Sequence, residues 1–219
     1  MTAAGVRTSR GRRLARAAFA VVALIGVAAA GVALIVAGLT PTPPEAAPIP
    51  EPFVHAVGQP LPDPEPAPDD PLPADTLLID SLGISAPLLP GAVSNQSLRI
   101  PSDPAKLTLY SGGAGPCDPE GTVLLAGHVS SYGVHGALWP LHKIQPGATA
   151  FVTCADGTVT AWQAVSVQVE HKDDLPQDVF SDTGDLRLVI VTCGGPVMSN
   201  GHYRDNVIVT FAPVVDSPI

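Results

Sequence analysis

The chain has little charge, few aromatics and few cysteines: 14% of its 219 residues are Asp, Glu, Lys or Arg, 5% are Phe, Trp or Tyr, and three are Cys. Basic residues are the scarcest charge, eleven against twenty acidic ones, and five of them (Arg7, Arg10, Arg12, Arg13, Arg16) sit in the first sixteen positions. A nucleic-acid surface needs clustered Lys and Arg to neutralise phosphates, so nucleic acid is excluded as a partner. No CxxC or HxxxH spacing occurs, which leaves a zinc site without a motif. Past residue 74 no stretch longer than ten residues has helical periodicity, which excludes a helical bundle.

Charge is missing altogether from residues 17–40. Those twenty-four residues exceed the roughly 20 that cross a bilayer core as a helix and the 7 to 15 of a cleavable signal's apolar region, so they read as a transmembrane signal anchor. The arginines before it are expected to stay in the cytoplasm, making residues 1–16 a basic cytoplasmic N-terminus and exporting everything after residue 40. The expected placement is the cell membrane, single-pass type II, with the folded part extracellular.

Proline is abundant, and thirteen of the twenty-five lie in residues 41–73 among acidic and small residues. That composition favours extended polyproline II over a packed core, so this segment is expected to be a disordered stalk reaching at most roughly 100 Å at about 3.1 Å per residue. The remaining 146 residues, 74–219, suffice for one domain with a core and exclude two. They carry six basic and fourteen acidic side chains, a net charge of −8.

Short apolar or alternating runs rich in Val, Thr and Ile, bounded by Gly, Pro, Asp and Asn, predict strands near 76–79, 121–126, 150–153, 158–169, 185–192 and 206–212. An all-β barrel or sandwich follows, with short helical turns expected at 105–110 and near 137–141. Ala155, Asp156 and Gly157 place a glycine where a hairpin needs positive φ, so 151–165 is predicted to be one hairpin.

Three cysteines in an exported domain leave at least one thiol unpaired. Cys193 is the candidate, because it ends the run 186–192 and Gly194, Gly195 and Pro196 follow it. Cys117 and Cys154 flank other predicted strands and either form a disulfide or are small apolar residues. A thiol attacks as its thiolate, which calls for a partner. His128 follows an apolar run broken by Gly127, His202 is a secondary candidate, and His55, His135, His142 and His171 lie in stalk, loop or charged surroundings. Arg204 precedes the run 207–211. If 186–192 and 207–211 pair antiparallel, Cys193 and Arg204 share a sheet edge. Arginine does not exchange protons at physiological pH, so its roles are a surface ion pair with Asp205 or Asp182, or donation to a carbonyl oxygen.

The segment Leu188, Val189, Ile190, Val191, Thr192, Cys193, Gly194, Gly195, with Ala126, Gly127, His128 and with His202, Tyr203, Arg204, Asp205, Asn206, Val207, resembles the sortase family, most closely its actinobacterial class F or class E types. The likeness covers essentially residues 74–215, including 98–101. Val189 and Ile190 depart from the family's TLxTC pattern at positions inside a strand. The resemblance implies a closed eight-stranded β-barrel and a cysteine transpeptidase that cuts an LPxTG-like C-terminal sorting signal between Thr and Gly and passes the acyl group to a cell-wall amine. It implies Cys193 as nucleophile, His128 as general acid and base and Arg204 as carbonyl and oxyanion stabiliser, with Thr192 and His202 as further substrate-binding candidates. The implied partners are exported proteins bearing the signal, the peptidoglycan precursor amine and the membrane. No cofactor or metal is expected. Two alternatives stand beside this reading: a metal site of Cys193, His128 and His202, and a non-catalytic exported β-barrel module binding a wall partner. A peptidoglycan-peptide transpeptidase usually presents His-Gly-Cys, whereas Thr192 precedes the cysteine here.

Overall fold

The structure, a computed structural model, describes residues 45–56, 58–94 and 97–214. The predicted basic terminus and the apolar run 17–40 lie outside the described residues.

Eight strands form the frame: β1 (Thr76–Ile79), β2 (Ile84–Gly91), β3 (Leu107–Tyr110), β4 (Thr122–Gly127), β5 (Thr149–Thr153), β6 (Val159–His171), β7 (Arg187–Val197) and β8 (Tyr203–Pro213). They run in the order β6-β5-β1-β2-β3-β4-β7-β8, and β8 pairs back onto β6, closing the barrel. The pairs β2–β3 and β4–β7 are parallel and the others antiparallel. The fold is therefore all-β, with short 3-10 turns as its only described helices.

Alternation builds the interior. Leu77 and Ile79, Val123 and Leu125, Leu188 and Ile190, and Val207, Val209 and Phe211 point inward from their strands and pack around the fully buried Trp162. A register shift between Ala164 and Ser166 changes the inward set of β6 from Ala164 to Val167, keeping both in the core. Each large side chain buried this way contributes about 1.5 to 3 kcal/mol. The opposite face of β4, β7 and β8 is apolar too. Leu124, Val189 and Ile208 form a second buried cluster with Val179, covered by Leu98, Tyr110, Leu175 and Phe180.

Two elements differ from the sequence expectation. Residues 107–110, expected in a helical turn, are β3, because Leu107 and Thr108 are buried between β2 and β4. β2 contains Pro87 and Pro90, which mask it as a strand. Pro87 pairs only with β1 and Pro90 only with β3, so each missing N–H falls beside a single neighbour. The predicted turn near 137–141 is a 3-10 helix, Trp139–Lys143, and the predicted hairpin is β5–β6 with Gly157 at φ 90°.

The described part of the proline-rich stretch, expected as a disordered stalk, touches the barrel at several points. Phe53 and Val54 pair with Val167 and Ser166 of β6, beside the end of β5. The Pro62 carbonyl accepts from Gln163 Nε2 at 2.8 Å, and Glu65 N donates to Thr149 Oγ1 at 2.9 Å. Ala47 exchanges backbone hydrogen bonds with Gly195 at 3.0 and 3.1 Å. The reason is that an extended proline-rich chain makes no internal hydrogen bonds, so its remaining N–H and C=O groups are free to satisfy unpaired sheet edges.

Cys117 and Cys154 form a disulfide, their Cα atoms 6.3 Å apart and 37 residues apart in sequence. It ties the loop before β4 to the end of β5. By loop closure it stabilises the fold by about 4 kcal/mol. Replacing both with Ser is expected to lower Tm by roughly 8 to 16 °C in a calorimetric scan.

Candidate active site

The three residues singled out by sequence lie on adjacent strands at one rim. β4 and β7 run parallel with Val191 opposite Ala126. His128 lies two residues beyond Ala126, and Cys193 two beyond Val191. Between them, Thr192 Oγ1 donates to the Gly127 carbonyl at 2.9 Å and locks the two strand ends together. On the other side of β7, Cys193 is directly opposite Asn206 of β8. Thr192 pairs with Val207 and faces the interior, so period-two alternation turns Cys193 and Asn206 outward, the way Leu124, Val189 and Ile208 point.

Cys193 is half-buried and is the free cysteine among the described residues. β7 does not stop at Thr192, as the sequence suggested. It continues through Gly194 and Gly195 to Val197, bulging against β8 between Gly194 and Val197. Gly195 sits at φ 77°, and a Cβ there would run into the Asp205 carboxylate, so the rim requires glycine on both counts. Beside it, a Cβ at Gly194 would lie 2.8 Å from the Ile49 side chain. The proline-rich segment thus packs directly on the strand that carries the thiol.

Each candidate has its own hydrogen-bond partner, and among the described residues no hydrogen bond joins the three. His128 Nε2 lies 3.1 Å from the Pro101 carbonyl, which only accepts, so Nε2 carries the proton and Nδ1 is the nitrogen left open. Arg204 Nε donates to Asp205 Oδ1 at 2.9 Å, and its Nη2 to Oδ2 at 2.8 Å. The ion pair weighed from the sequence is therefore present, while among the described residues three guanidinium N–H groups have no partner. Arg204's hydrogen bonds hold the buried Asp205 carboxyl below its ordinary value, against burial that pushes it up, with the Arg204 and His171 charges assisting. Arg204 is itself held more firmly protonated by that bond. Cys193 Sγ is met instead by Lys172 Nζ at 3.3 Å, a contact that sequence reading missed.

Of the secondary candidates, Thr192 is buried on the opposite side of β7 from the thiol, and its hydroxyl is occupied by Gly127. His202 is exposed in the turn between β7 and β8, where its backbone N–H bonds Asn200 Oδ1. Among the described residues, Cys193, His128 and His202 do not bring ligand atoms within 4.8 Å of one another, so the zinc alternative lacks a ligand set.

Over the outward apolar face runs a groove of about 680 Å³ lined by Val93, Leu98, Tyr110, Leu175 and Phe180 with the polar Lys172, Asp173 and Gln177. Its lining shares Leu98, Tyr110, Leu175 and Phe180 with the second apolar cluster, and Lys172 connects it to the sulfur. The arrangement offers a thiol, an imidazole and a guanidinium at one rim, the thiol joined through Lys172 to a groove with apolar and polar walls, a set suited to acyl transfer from a peptide.

A family model for the sortase domain matches residues 77–214. Among solved structures, sortase C1 of Streptococcus agalactiae is similar at 19% identity and TM-score 0.51, covering 65% of this chain and 68% of its own. Sortase C-1 of Actinomyces oris is similar at 18% identity and TM-score 0.51, with 67% and 76% covered. A lid mutant of sortase A from Corynebacterium diphtheriae matches at 15% identity and TM-score 0.50, with 65% and 70% covered. No curated relative matches in sequence. With the family's domain accounting for well over half of its residues, and a closed barrel of the same fold, the chain belongs to the sortases, a family of cysteine transpeptidases.

Proposed function

We propose that this sortase is anchored by residues 17–40 with its barrel outside the cell, and that it cuts an LPxTG-like sorting signal and joins the product to a cell-wall amine. The observation that carries this reading is the half-buried free thiol of Cys193, level with His128 and in contact with Lys172, which lines the groove over the outward face. The groove accepts the signal as an extended segment, its apolar side chains against Leu98, Tyr110 and Phe180.

The Cys193 thiol gives its proton to His128 Nδ1, and the thiolate attacks the threonine carbonyl carbon, forming the C–S bond as the carbonyl π electrons move onto oxygen. Arg204 donates its free N–H groups to that oxyanion, with Asp205 holding the guanidinium in place. When the tetrahedral intermediate collapses, the C–N bond breaks and His128 gives its Nδ1 proton to the departing glycine amine, leaving a thioester. In the second half the acceptor amine enters, loses a proton to His128 Nδ1 and expels the thiolate. Acid and base roles of one imidazole across the two halves predict a bell-shaped pH–rate profile.

The test is mass spectrometry of the full chain mixed with peptides carrying variant sorting signals, with and without a diamine. The expected result is an acyl adduct on Cys193 that the diamine converts to product. Peptide cleavage with no adduct, or activity still rising at pH 11, would overturn the assignment of the sulfur or the imidazole respectively.

A further inference from the structure

Lys172 stands at the start of the turn after β6 (Lys172–Asp174). The β6–β8 register puts Glu170 opposite Asn206, and Asn206 is opposite Cys193 on the far side of β8. By alternation Lys172 shares the outward face of Glu170, Asn206 and Cys193. Asn206 Nδ2 also donates to the Lys172 carbonyl at 3.5 Å, a long bond that tethers the turn beside the residue facing the thiol. The lysine side chain then reaches across β8, and its ammonium lies 3.3 Å from Cys193 Sγ.

The charges around the sulfur come from four elements. The turn supplies Lys172, Asp173 and Asp174, the end of β4 supplies His128, β8 supplies Arg204 and Asp205, and the end of β6 supplies Glu170 and His171. Arg204 and His171 both face the Asp205 carboxylate, and His128 Nε2 is held by Pro101. Asp173 and Asp174 are exposed, and among the described residues no carboxylate lies within 4.0 Å of Lys172 Nζ. A half-buried ammonium with two acidic neighbours in sequence is therefore directed at a sulfur instead.

We propose that Lys172 is a further catalytic residue, whose ammonium, in contact with Cys193 Sγ, stabilises the thiolate that attacks. This rests on the reading of Cys193 as the nucleophile. It assigns thiolate stabilisation to Lys172, oxyanion binding to Arg204 and proton transfer to His128. The ammonium donates a hydrogen bond to the sulfur before attack and releases it when the C–S bond forms. An opposite charge in direct contact typically favours the charged form of a group by a factor of ten or more.

The experiment follows iodoacetamide alkylation of the full chain against pH, by mass spectrometry, for wild type, Lys172→Gln, Lys172→Met and Lys172→Arg. The reagent is neutral, so the lysine does not steer it, and the disulfide leaves Cys193 as the available thiol. The two neutral variants are expected to react about tenfold or more slowly at pH 7, with the acid limb of the profile moved to higher pH, while Lys172→Arg stays within about threefold of wild type. A profile of Lys172→Gln that overlays wild type would overturn the proposal. So would an equal loss in Lys172→Arg, which would indicate packing in place of charge. Near-UV circular dichroism of each variant separates misfolding from a charge effect, and the arginine variant decides the matter if a neutral one does not fold. Alkylation requires no peptide, so it can fail while transfer by wild type persists. Transfer by a Cys193→Ala variant would instead count against the reading of the nucleophile.

Discussion

Cys193→Ala is expected to lose transfer by a factor of about 10⁴ or more, since removing a covalent nucleophile abolishes the step on which the rest of the catalytic set acts. The substitution leaves the groove in place, so peptide binding should persist. The fold should persist as well. Cys193 is half-buried at the rim, outside both apolar clusters, and β7 is held by its pairing with β4 and β8. A binding module and an enzyme thus separate cleanly. The module keeps its affinity in the alanine variant, whereas the enzyme retains affinity and loses turnover, as followed by single-turnover assay beside peptide binding by fluorescence anisotropy. Full transfer by Cys193→Ala would remove the sulfur from the chemistry.

Arg204→Ala is expected to lower kcat by about 10² to 10³ with a much smaller change in KM, because donors to an oxyanion act where charge develops and not on the ground-state carbonyl. The rival account of Arg204 is an ion pair at the rim, and the pair with Asp205 is present. The two accounts differ in what Asp205→Asn does. If the arginine serves only the ion pair, removing either partner perturbs stability alike and leaves kcat alone. If the carboxylate aims a guanidinium whose remaining N–H groups meet substrate, Arg204→Ala loses far more rate than Asp205→Asn, which keeps the cation and one acceptor oxygen. Arg204→Lys is also expected to be poor, since an ammonium lacks the planar fork that meets both Asp205 oxygens and leaves further N–H groups aimed at a carbonyl. Equal kcat in wild type and Arg204→Ala would leave Arg204 as a rim ion pair alone.

Much of the barrel was legible because its strands alternate cleanly and end at glycines and prolines. The runs at 76–79, 150–153 and 206–212 each lie within a strand observed here. β2 was hidden by Pro87 and Pro90, whose tolerance depends on which flank of the strand is paired, a matter of neighbours and not of composition. β3 was mistaken for a turn because four residues carry too little periodicity to separate strand from helix. The Arg204–Asp205 pair was one of the options visible in the local sequence. Lys172 was not, since nothing near it in sequence signals a sulfur that is 21 residues further on.

The amino-acid sequence alone determined that a thiol, an imidazole and a guanidinium each sit beside an apolar strand, and alternation within β7 determined which face the thiol would take. Only the tertiary structure decided that β4 and β7 lie side by side in parallel, that β6 returns to β8 to bring Lys172 to the sulfur, and that the proline-rich segment lies against the rim at Gly195. The physical reason is range. Propensity and periodicity act over a few residues, whereas strand pairing and edge docking are set by backbone hydrogen bonds between segments dozens of residues apart, among which local sequence does not discriminate.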